Sequence, residues 1–191
     1  MGNGDRKAKS QRRSAEGLSA WDDESGNLRV LVDTPRGSAV KYKLDVEKGV
    51  YRVAHMLAAG LAFPYDFGSV PGTLAEDGDP LDVLVLAEAG TFPGCLIEVR
   101  LVGALVARQT QNGRTMRNDR LIGVAAESRA YSRIRAMRQV PKRLVDDVER
   151  FFVAYNEARG RRFRVDRRVN AAGARRLVSE GEKLFARRAK K

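Results

Sequence analysis

The sequence EDGDPLDVLVL, at residues 76–86, decides the fold and carries the most chemical information in this chain. Its first part places Asp77, Asp79 and Asp82 within six residues, and its second part is a continuous apolar run that predicts a buried strand. Carboxylates that lie this close together repel one another unless a cation neutralises them. The stretch therefore predicts a carboxylate site of the magnesium type at the entrance to a strand.

The spacing of the aspartates in residues 76–82 helps to judge two other interpretations, a surface turn and a calcium-binding loop. In an extended chain, residues two apart point the same way, so Asp77 and Asp79 would share a face and Pro80 could bring Asp82 round to them. A polar surface turn is an open alternative, because Asp, Gly and Pro all favour turns. A calcium-binding EF-hand is excluded, because its sixth loop position requires glycine where this chain has Asp82.

Length and composition predict one globular domain at residues 26–191, preceded by a flexible polar tail at residues 1–25. The single cysteine, Cys95, excludes an internal disulfide framework and favours a reducing cytoplasm. The single histidine, His55, excludes a histidine-rich zinc site. No stretch reaches the roughly 20 apolar residues of a membrane span, and the N-terminus lacks the apolar core of a secretory signal. We therefore expect a cytoplasmic protein without a membrane partner.

The positive charge is concentrated in the C-terminal third of the chain. Residues 131–191 contain 19 of the 36 basic residues but only 7 of the 24 acidic ones, which accounts for the whole net charge of +12. A well-solvated helical surface is the simpler interpretation, and a contact surface for nucleic acid or another polyanion is the alternative. No motif typical of nucleic-acid binding accompanies the charge.

The order of predicted elements places strands first and helices last, which is typical of an α+β fold with a small barrel. Alternation and apolar runs predict strands at residues 28–32, 40–45, 50–53, 83–86, 95–107 (one bent strand or two) and 121–125. Helical spacing predicts one helix from Pro141 to Gly160 and another from about residue 171 to about residue 188. Residues 56–73 are predicted to form a long structured loop, and residues 109–118 a hairpin tip.

Residues 63–85 closely resemble the signature region of the family I soluble inorganic pyrophosphatases. The resemblance extends from about residue 28 to about residue 185. It includes TPRGS at residues 34–38, Lys41-Tyr42, and Phe151-Phe152 with Tyr155. It implies a five-stranded barrel of the OB type with flanking helices, two of them C-terminal. It further implies hydrolysis of pyrophosphate to two phosphates with Mg²⁺, and a homo-oligomeric assembly.

The resemblance also implies roles for individual residues. Asp77, Asp79 and Asp82 would be the central metal ligands, and Asp79 would also accept a proton from the attacking water. Asp33 falls where the family has a further acidic residue, so we expect it to face the metals.

On the substrate side, Lys41 would contact a phosphate and Tyr155 would donate a hydrogen bond to a phosphate oxygen. Arg120 falls where the family has a lysine that faces the site. Arginine keeps the positive charge, but its guanidinium differs from a lysine ammonium in reach and geometry.

Several positions depart from the family pattern. The replacements are Lys43 for a glutamate, His55 for a phosphate-binding arginine, Phe63 and Phe67 for two tyrosines, Gln109 and Asn118 for two metal-binding aspartates, and Asn156 for a lysine. Asp119 could substitute for one aspartate by a shift of one residue. We expect Lys43 and His55 to contact the substrate. The exchanges make the site about two charges more positive, so fewer Mg²⁺ ions would balance the substrate.

Three hypotheses for the function remain open at this point. The first is a working but divergent Mg²⁺-dependent pyrophosphatase. The second is a degenerate relative that binds pyrophosphate, phosphate or a nucleotide with little turnover. The third is a polyanion-binding module that uses the basic C-terminal third. If the Lys43 ammonium lies within about 4 Å of the aspartates, an internal charge would replace a cation there.

Overall fold

The structure, a computed structural model, describes residues 17–45 and 48–188. Its strands are β1 (Leu28–Thr34), β2 (Val40–Asp45), β3 (Val50–Met56), β4 (Asp66–Ser69), β5 (Asp82–Leu86), β6 (Leu96–Gln111), β7 (Arg114–Arg117), β8 (Arg120–Ala125) and β9 (Arg162–Asn170). Its helices are α1 (Lys142–Glu157) and α2 (Ala171–Arg188), with a short 3-10 helix at Met137–Gln139. No helix in these residues is long and apolar enough to cross a membrane.

Five strands close into a ring, in the order β1, β4, β5, β8, β6 and back to β1. All neighbours in the ring are antiparallel except β5 and β8, which run parallel. Closure removes the exposed strand edges that would otherwise invite aggregation. The predicted five-stranded barrel with two C-terminal helices is therefore confirmed.

Strand β5 is buried on both faces, which explains its continuous apolar sequence. Val83 and Val85 pack in a core that also contains Leu177 and Val178 of α2. Leu84 and Leu86 point the other way, into a second core that contains side chains of α1. The acidic loop, which we define as residues 76–81, leads directly into this rigid strand.

The long strand β6 joins the barrel to its outer strands. It pairs with β1, β7, β8 and β9, and its register shifts between Leu101 and Gly103. Of the two predicted alternatives, the structure shows one bent strand, which runs on to Gln111. The predicted hairpin tip at residues 109–118 was too wide. The tip is Asn112-Gly113, and both residues have a positive φ.

Three strands were missed by the sequence analysis, and one of them, β7, lies in the predicted hairpin tip. The predicted loop at residues 56–73 contains β4, which is only four residues long. Strand β9 has four arginines among its nine residues, and its exposed positions hide the alternation. It forms an outer strand along β6, and Arg168 ties it to Asp146 and Glu149 of α1.

The two helices begin and end close to the predicted positions. Pro141 stands at the N-terminal cap of α1, and Gly160, with φ 66°, follows its last turn. The side chain of Asn170 accepts a hydrogen bond from the Gly173 amide over 3.0 Å, which caps the start of α2.

Part of the predicted tail contacts the barrel. Ala20 is buried, Trp21 forms a β-bridge with Leu28, and Asp22 pairs with Arg29 over 2.6 Å. Residues 1–16 of that predicted tail lie outside the described residues.

Replacing Gly68 with alanine should destabilise the barrel and displace the strands that hold the site. A Cβ atom at Gly68 would overlap the carbonyl oxygen of Leu31 and lie 2.8 Å from Cγ1 of Val30. We expect G68A to lower the free energy of unfolding by about 2 kcal/mol or more, measured by urea unfolding at one protein concentration.

Gly181→Ala is the matched control. Its Cβ would approach Cδ1 of the Leu81 side chain to 2.8 Å and Cβ of Thr73 to 3.2 Å rather than a backbone atom, and alanine gains about 1 kcal/mol of helix propensity. Equal losses in the two variants would contradict the close approach of β1 and β4.

Candidate active site

One pocket brings the predicted site residues together. It has a volume of about 730 Å³ and lies between the acidic loop, the barrel strands and the C-terminal end of α1. The predicted site residues that line it are Asp33, Lys41, Lys43, Asp77, Asp79, Asp82, Arg120 and Tyr155. His55 contacts the hydroxyl of Tyr155 from outside the lining.

The acidic loop is a hydrogen-bonded turn, and its Asp77 and Asp79 side chains line this pocket. The Asp79 amide donates to Oδ1 of Asp77 over 3.2 Å. Gly78 has φ 87°, which side-chain-bearing residues rarely adopt, so the turn requires glycine. Burial raises the pKa of Asp77, and the nearby carboxylates of Asp82 and Asp79 act in the same direction.

Two of the three central carboxylates carry a cation supplied by the chain itself. Nζ of Lys43 lies 2.6 Å from Oδ1 of Asp79, and Nη1 of Arg120 lies 2.6 Å from Oδ2 of Asp82. The parallel register of β5 and β8 sets Asp82 opposite Arg120. Within the described part of the chain, Asp77 forms no ion pair.

Arg120 is buried, and its guanidinium organises the neighbouring amides. Its Cζ lies between 5.1 and 5.7 Å from the ring centroids of Phe67, Phe152 and Phe163. The guanidinium donates to Oδ1 of Asn118, and Nδ2 of Asn118 donates to Oε1 of Gln109 over 3.1 Å. The amides at the positions of the two expected aspartates are therefore bonded to each other, and that of Asn118 is also bonded to Arg120.

The suggestion that Asp119 could replace one of those aspartates is wrong. Successive residues of an extended segment point to opposite sides, so Asn118 faces the pocket and Asp119 faces away. The Asp119 carboxylate accepts the Ala107 amide over 3.0 Å and pairs with Arg117 over 2.6 Å. Both oxygens are thus engaged outside the pocket.

Asp33 and Lys41 form a loose buried pair at the barrel side of the pocket. Nζ of Lys41 lies 3.9 Å from Oδ2 of Asp33 and 4.4 Å from the ring centroid of Phe67. Burial raises the pKa of Asp33 to about 6, while burial lowers the pKa of Lys41. The phenyl ring at position 67 thus supports the ammonium through a cation–π contact, although it lacks a hydroxyl.

Tyr155 forms the opposite wall, and His55 contacts it from outside the lining. The Tyr155 hydroxyl lies 2.9 Å from Nε2 of His55 and accepts a hydrogen bond from Nη1 of Arg159 over 3.1 Å. Burial, together with the charges of Arg159, Lys41 and Arg161, lowers the pKa of His55 to about 4. The imidazole is therefore neutral near pH 7 and cannot replace the charge of an arginine.

Three arginines in the pocket wall were missed as site residues by the sequence analysis, namely Arg159, Arg161 and Arg188. They were treated as part of the basic C-terminal third. Arg159 and Arg161 flank Gly160 directly after α1, and that position beside Tyr155 was the available signal. Asn156, at the expected lysine position, is buried and donates to the Phe152 carbonyl over 2.8 Å. Cationic groups thus reach the pocket from positions other than the expected ones.

A sequence profile described as inorganic pyrophosphatase matches residues 30–186, which is most of the chain. This chain belongs to the inorganic pyrophosphatase family.

Individual relatives agree with the profile. An inorganic pyrophosphatase of Halalkalibacterium halodurans is 32% identical over 160 residues, which cover 84% of this chain and 94% of the relative. One from Methanosarcina acetivorans is 39% identical over 132 residues, covering 69% and 76%. The crystal structure of an inorganic pyrophosphatase from Thermus thermophilus superimposes with a TM-score of 0.82 at 29% identity, covering 91% of this chain and 99% of that one.

Inorganic pyrophosphatases use divalent metal ions, and the carboxylate oxygens of the acidic loop are donors that fit a hard cation. In residues 17–45 and 48–188, no three Asp, Glu, His or Cys side chains are gathered closely enough to hold one ion. Two of the three predicted central ligands, Asp79 and Asp82, are paired with Lys43 and Arg120 instead. The donor chemistry of the family is therefore present, but it is partly neutralised by internal cations.

The neutral state of His55 can be tested through the pH dependence of stability. The folded-state pKa of about 4 lies below the ordinary value of 6.5, so the unfolded chain binds the proton more readily between these pH values. Stability from His55 is therefore present above that range and is lost as the pH falls through it. As the pH is lowered from about 7 to about 5, the unsubstituted protein loses this stability and His55→Gln does not. We therefore expect the melting temperature of His55→Gln, relative to that of the unsubstituted protein, to rise as the pH falls over this range.

His55→Gln also removes the contact with Tyr155, which changes the difference in melting temperature by the same amount at every pH. The dependence of that difference on pH is therefore the quantity to measure. A difference that stays flat or falls with acidification would contradict the lowered pKa.

Proposed function

We propose that this protein hydrolyses inorganic pyrophosphate to two phosphates with Mg²⁺ bound at Asp77, Asp79 and Asp82. The observation that carries the proposal is that these carboxylates share one pocket with Lys41, Tyr155, Arg159 and Arg161. One side offers hard oxygen donors, and another offers cations and a hydroxyl for a phosphate. Mg²⁺ suits the first side, because it binds a few carboxylates together with substrate phosphates.

The attacking water would be placed at Asp79. Lys43 engages Oδ1 of this carboxylate, which leaves Oδ2 to accept the proton of the water. Bound Mg²⁺ supplies a lowered pKa for that water and neutralises phosphate charge. Asp77, next to Asp79 in the same turn, contributes a carboxylate that is free of ion pairs within the described residues, and Asp33 would complete the donor set from the barrel wall.

The leaving phosphate would be held by the cationic wall. Lys41 projects its ammonium from a buried position, and Arg159 and Arg161 add two guanidinium groups. Nε of Arg161 is buried without a hydrogen-bond partner among the described residues. The Tyr155 hydroxyl accepts from Arg159, and when Nε2 of His55 carries the ring proton it accepts from His55 as well, so its own proton can be donated to a phosphate oxygen. Fixed donors of this kind stabilise charge that develops on phosphate during transfer.

A second candidate is a pyrophosphate-binding protein with little turnover. The two ion pairs on Asp79 and Asp82 favour it, because they reduce the charge available to metal ions. For the third hypothesis, binding of nucleic acid or another polyanion, the arginines of β9 give limited support. Arg164 and Arg168 are engaged by Asp166, Asp146 and Glu149, which favours a solvated surface.

We further propose a homo-oligomer of a single domain that works in the cytoplasm, and we extend the predicted domain start from residue 26 back to Ala20, which is buried in the core. Exposed apolar side chains support the assembly, namely Val50, Val53, Met56, Phe92 and Leu96. The free thiol of Cys95 supports the compartment.

Phosphate release from pyrophosphate during a Mg²⁺ titration tests the activity. We expect Asp79→Asn to lower kcat by about 100-fold or more, because it removes the proton acceptor. Asp147→Asn is the matched control, since Asp147 lies on the exposed face of α1 and outside the pocket. If the unsubstituted protein is no faster than D79N, the enzymatic function is wrong and the binding function is favoured.

Arg159→Met should raise KM for magnesium pyrophosphate by about tenfold, because it removes a charge and a partner of Tyr155. Arg162→Met is the control, because Arg162 is exposed and does not line the pocket. Equal KM values in the two variants would exclude Arg159 from substrate binding.

A further inference from the structure

The contact between Lys43 and Asp79 is unusual for a carboxylate that is to bind a divalent ion. The ammonium lies 2.6 Å from Oδ1, within hydrogen-bond distance. Both side chains are about half exposed, at 47% for Lys43 and 54% for Asp79. The pair therefore occupies the pocket mouth, where a metal ion would enter from solvent.

The fold places Lys43 at this position. Strand β2 pairs with β3 in a separate two-stranded sheet, and Lys43 stands opposite Arg52 in that register. The hairpin is tied to the barrel because the Tyr42 amide donates to Oγ1 of Thr34 over 3.2 Å. Leu44, the next residue along, also lines the pocket. The ammonium is thus delivered from a strand that is anchored to the barrel.

Two of the three central aspartates are balanced without an added ion, whereas Asp77 forms no ion pair within the described residues. Asp79 and Asp82 each have a cationic partner, from Lys43 and Arg120 respectively. The positions across the pocket hold the neutral amides of Gln109 and Asn118, which are bonded to each other. A divalent ion that binds Asp79 must therefore displace an ammonium or lie close to it, and both alternatives cost free energy.

We propose that Lys43 is a built-in cation that competes with divalent metal ions for Asp79. It is a positioning residue: it sets the orientation of the Asp79 carboxylate and weakens the first metal-binding step. The inference rests on the proposed function for the role of Asp79, but metal binding itself can be measured without substrate.

The test is a titration of the metal-free full-length protein with Mn²⁺, in which free Mn²⁺ is counted by electron paramagnetic resonance. We expect Lys43→Met to bind the first Mn²⁺ about tenfold more tightly or better, because it removes the competing charge. Lys43→Glu should bind more tightly than K43M, because it adds a carboxylate. Lys43→Arg should stay near the unsubstituted protein, because it keeps the charge.

Two controls isolate the contact. Arg52→Met removes a cation from the cross-strand position of the same hairpin, where Arg52 is exposed and does not line the pocket. In the Asp79→Asn background, the gain from K43M should disappear, because the shared partner is gone. Circular dichroism confirms that each variant is folded.

A gain in K43M that does not exceed the gain in R52M would overturn the inference, and so would a gain that persists in full in D79N. Neither result depends on turnover. Absence of phosphate release would remove the proposed function, whereas unchanged Mn²⁺ affinity would remove only the role of Lys43.

Discussion

The parallel pairing of β5 with β8 sets the geometry on which the rest of the structure depends. Both strands are buried along their length, so a shift of register would move apolar side chains out of two cores at once. The register that satisfies both cores places Asp82 opposite Arg120 at the start of each strand. The acidic loop enters at the same point, so the packing of the barrel fixes where the carboxylates lie.

Crowded carboxylates create the second constraint, because like charges at short range raise the free energy of the folded state. This chain meets the constraint with its own cations: Lys43 on Asp79, Arg120 on Asp82 and, more loosely, Lys41 on Asp33. The arrangement partly neutralises the aspartates of the pocket in the absence of metal, with Asp77 left without an ion pair among the described residues. Its consequence is that metal ions must compete for the same oxygens, which links the stability of the pocket to its affinity for metals.

In the cationic wall of the pocket, the positive charge comes from residues other than the expected ones. His55 is neutral and Asn156 is bonded to the backbone, so neither supplies the expected positive charge. Arg159 and Arg161 supply it from the segment that follows α1, a helix end at which cations are favoured. A pocket of this kind can keep its attraction for a phosphate anion although the individual residues that carry the charge have changed.

Local sequence was sufficient for much of this description. The run of apolar residues in β5, the helical spacing around Phe152 and the turn residues around Gly78 act over a few neighbours, so their structures could be predicted. Strands β4 and β9 could not, because one is very short and the other alternates arginines with few apolar residues. Their extended conformation depends on partners that are distant in the chain.

In the site as well, some features follow from local sequence and others depend on the tertiary structure. The presence of a carboxylate cluster follows from the residues of the acidic loop, since their spacing alone brings like charges together. The direction in which Lys43 points, the turning of Asp119 away from the pocket and the arrival of Arg159 and Arg161 at its wall do not follow from local sequence. They depend on strand register and on the packing of the hairpin and α1 against the barrel, because only these long-range contacts fix which groups meet.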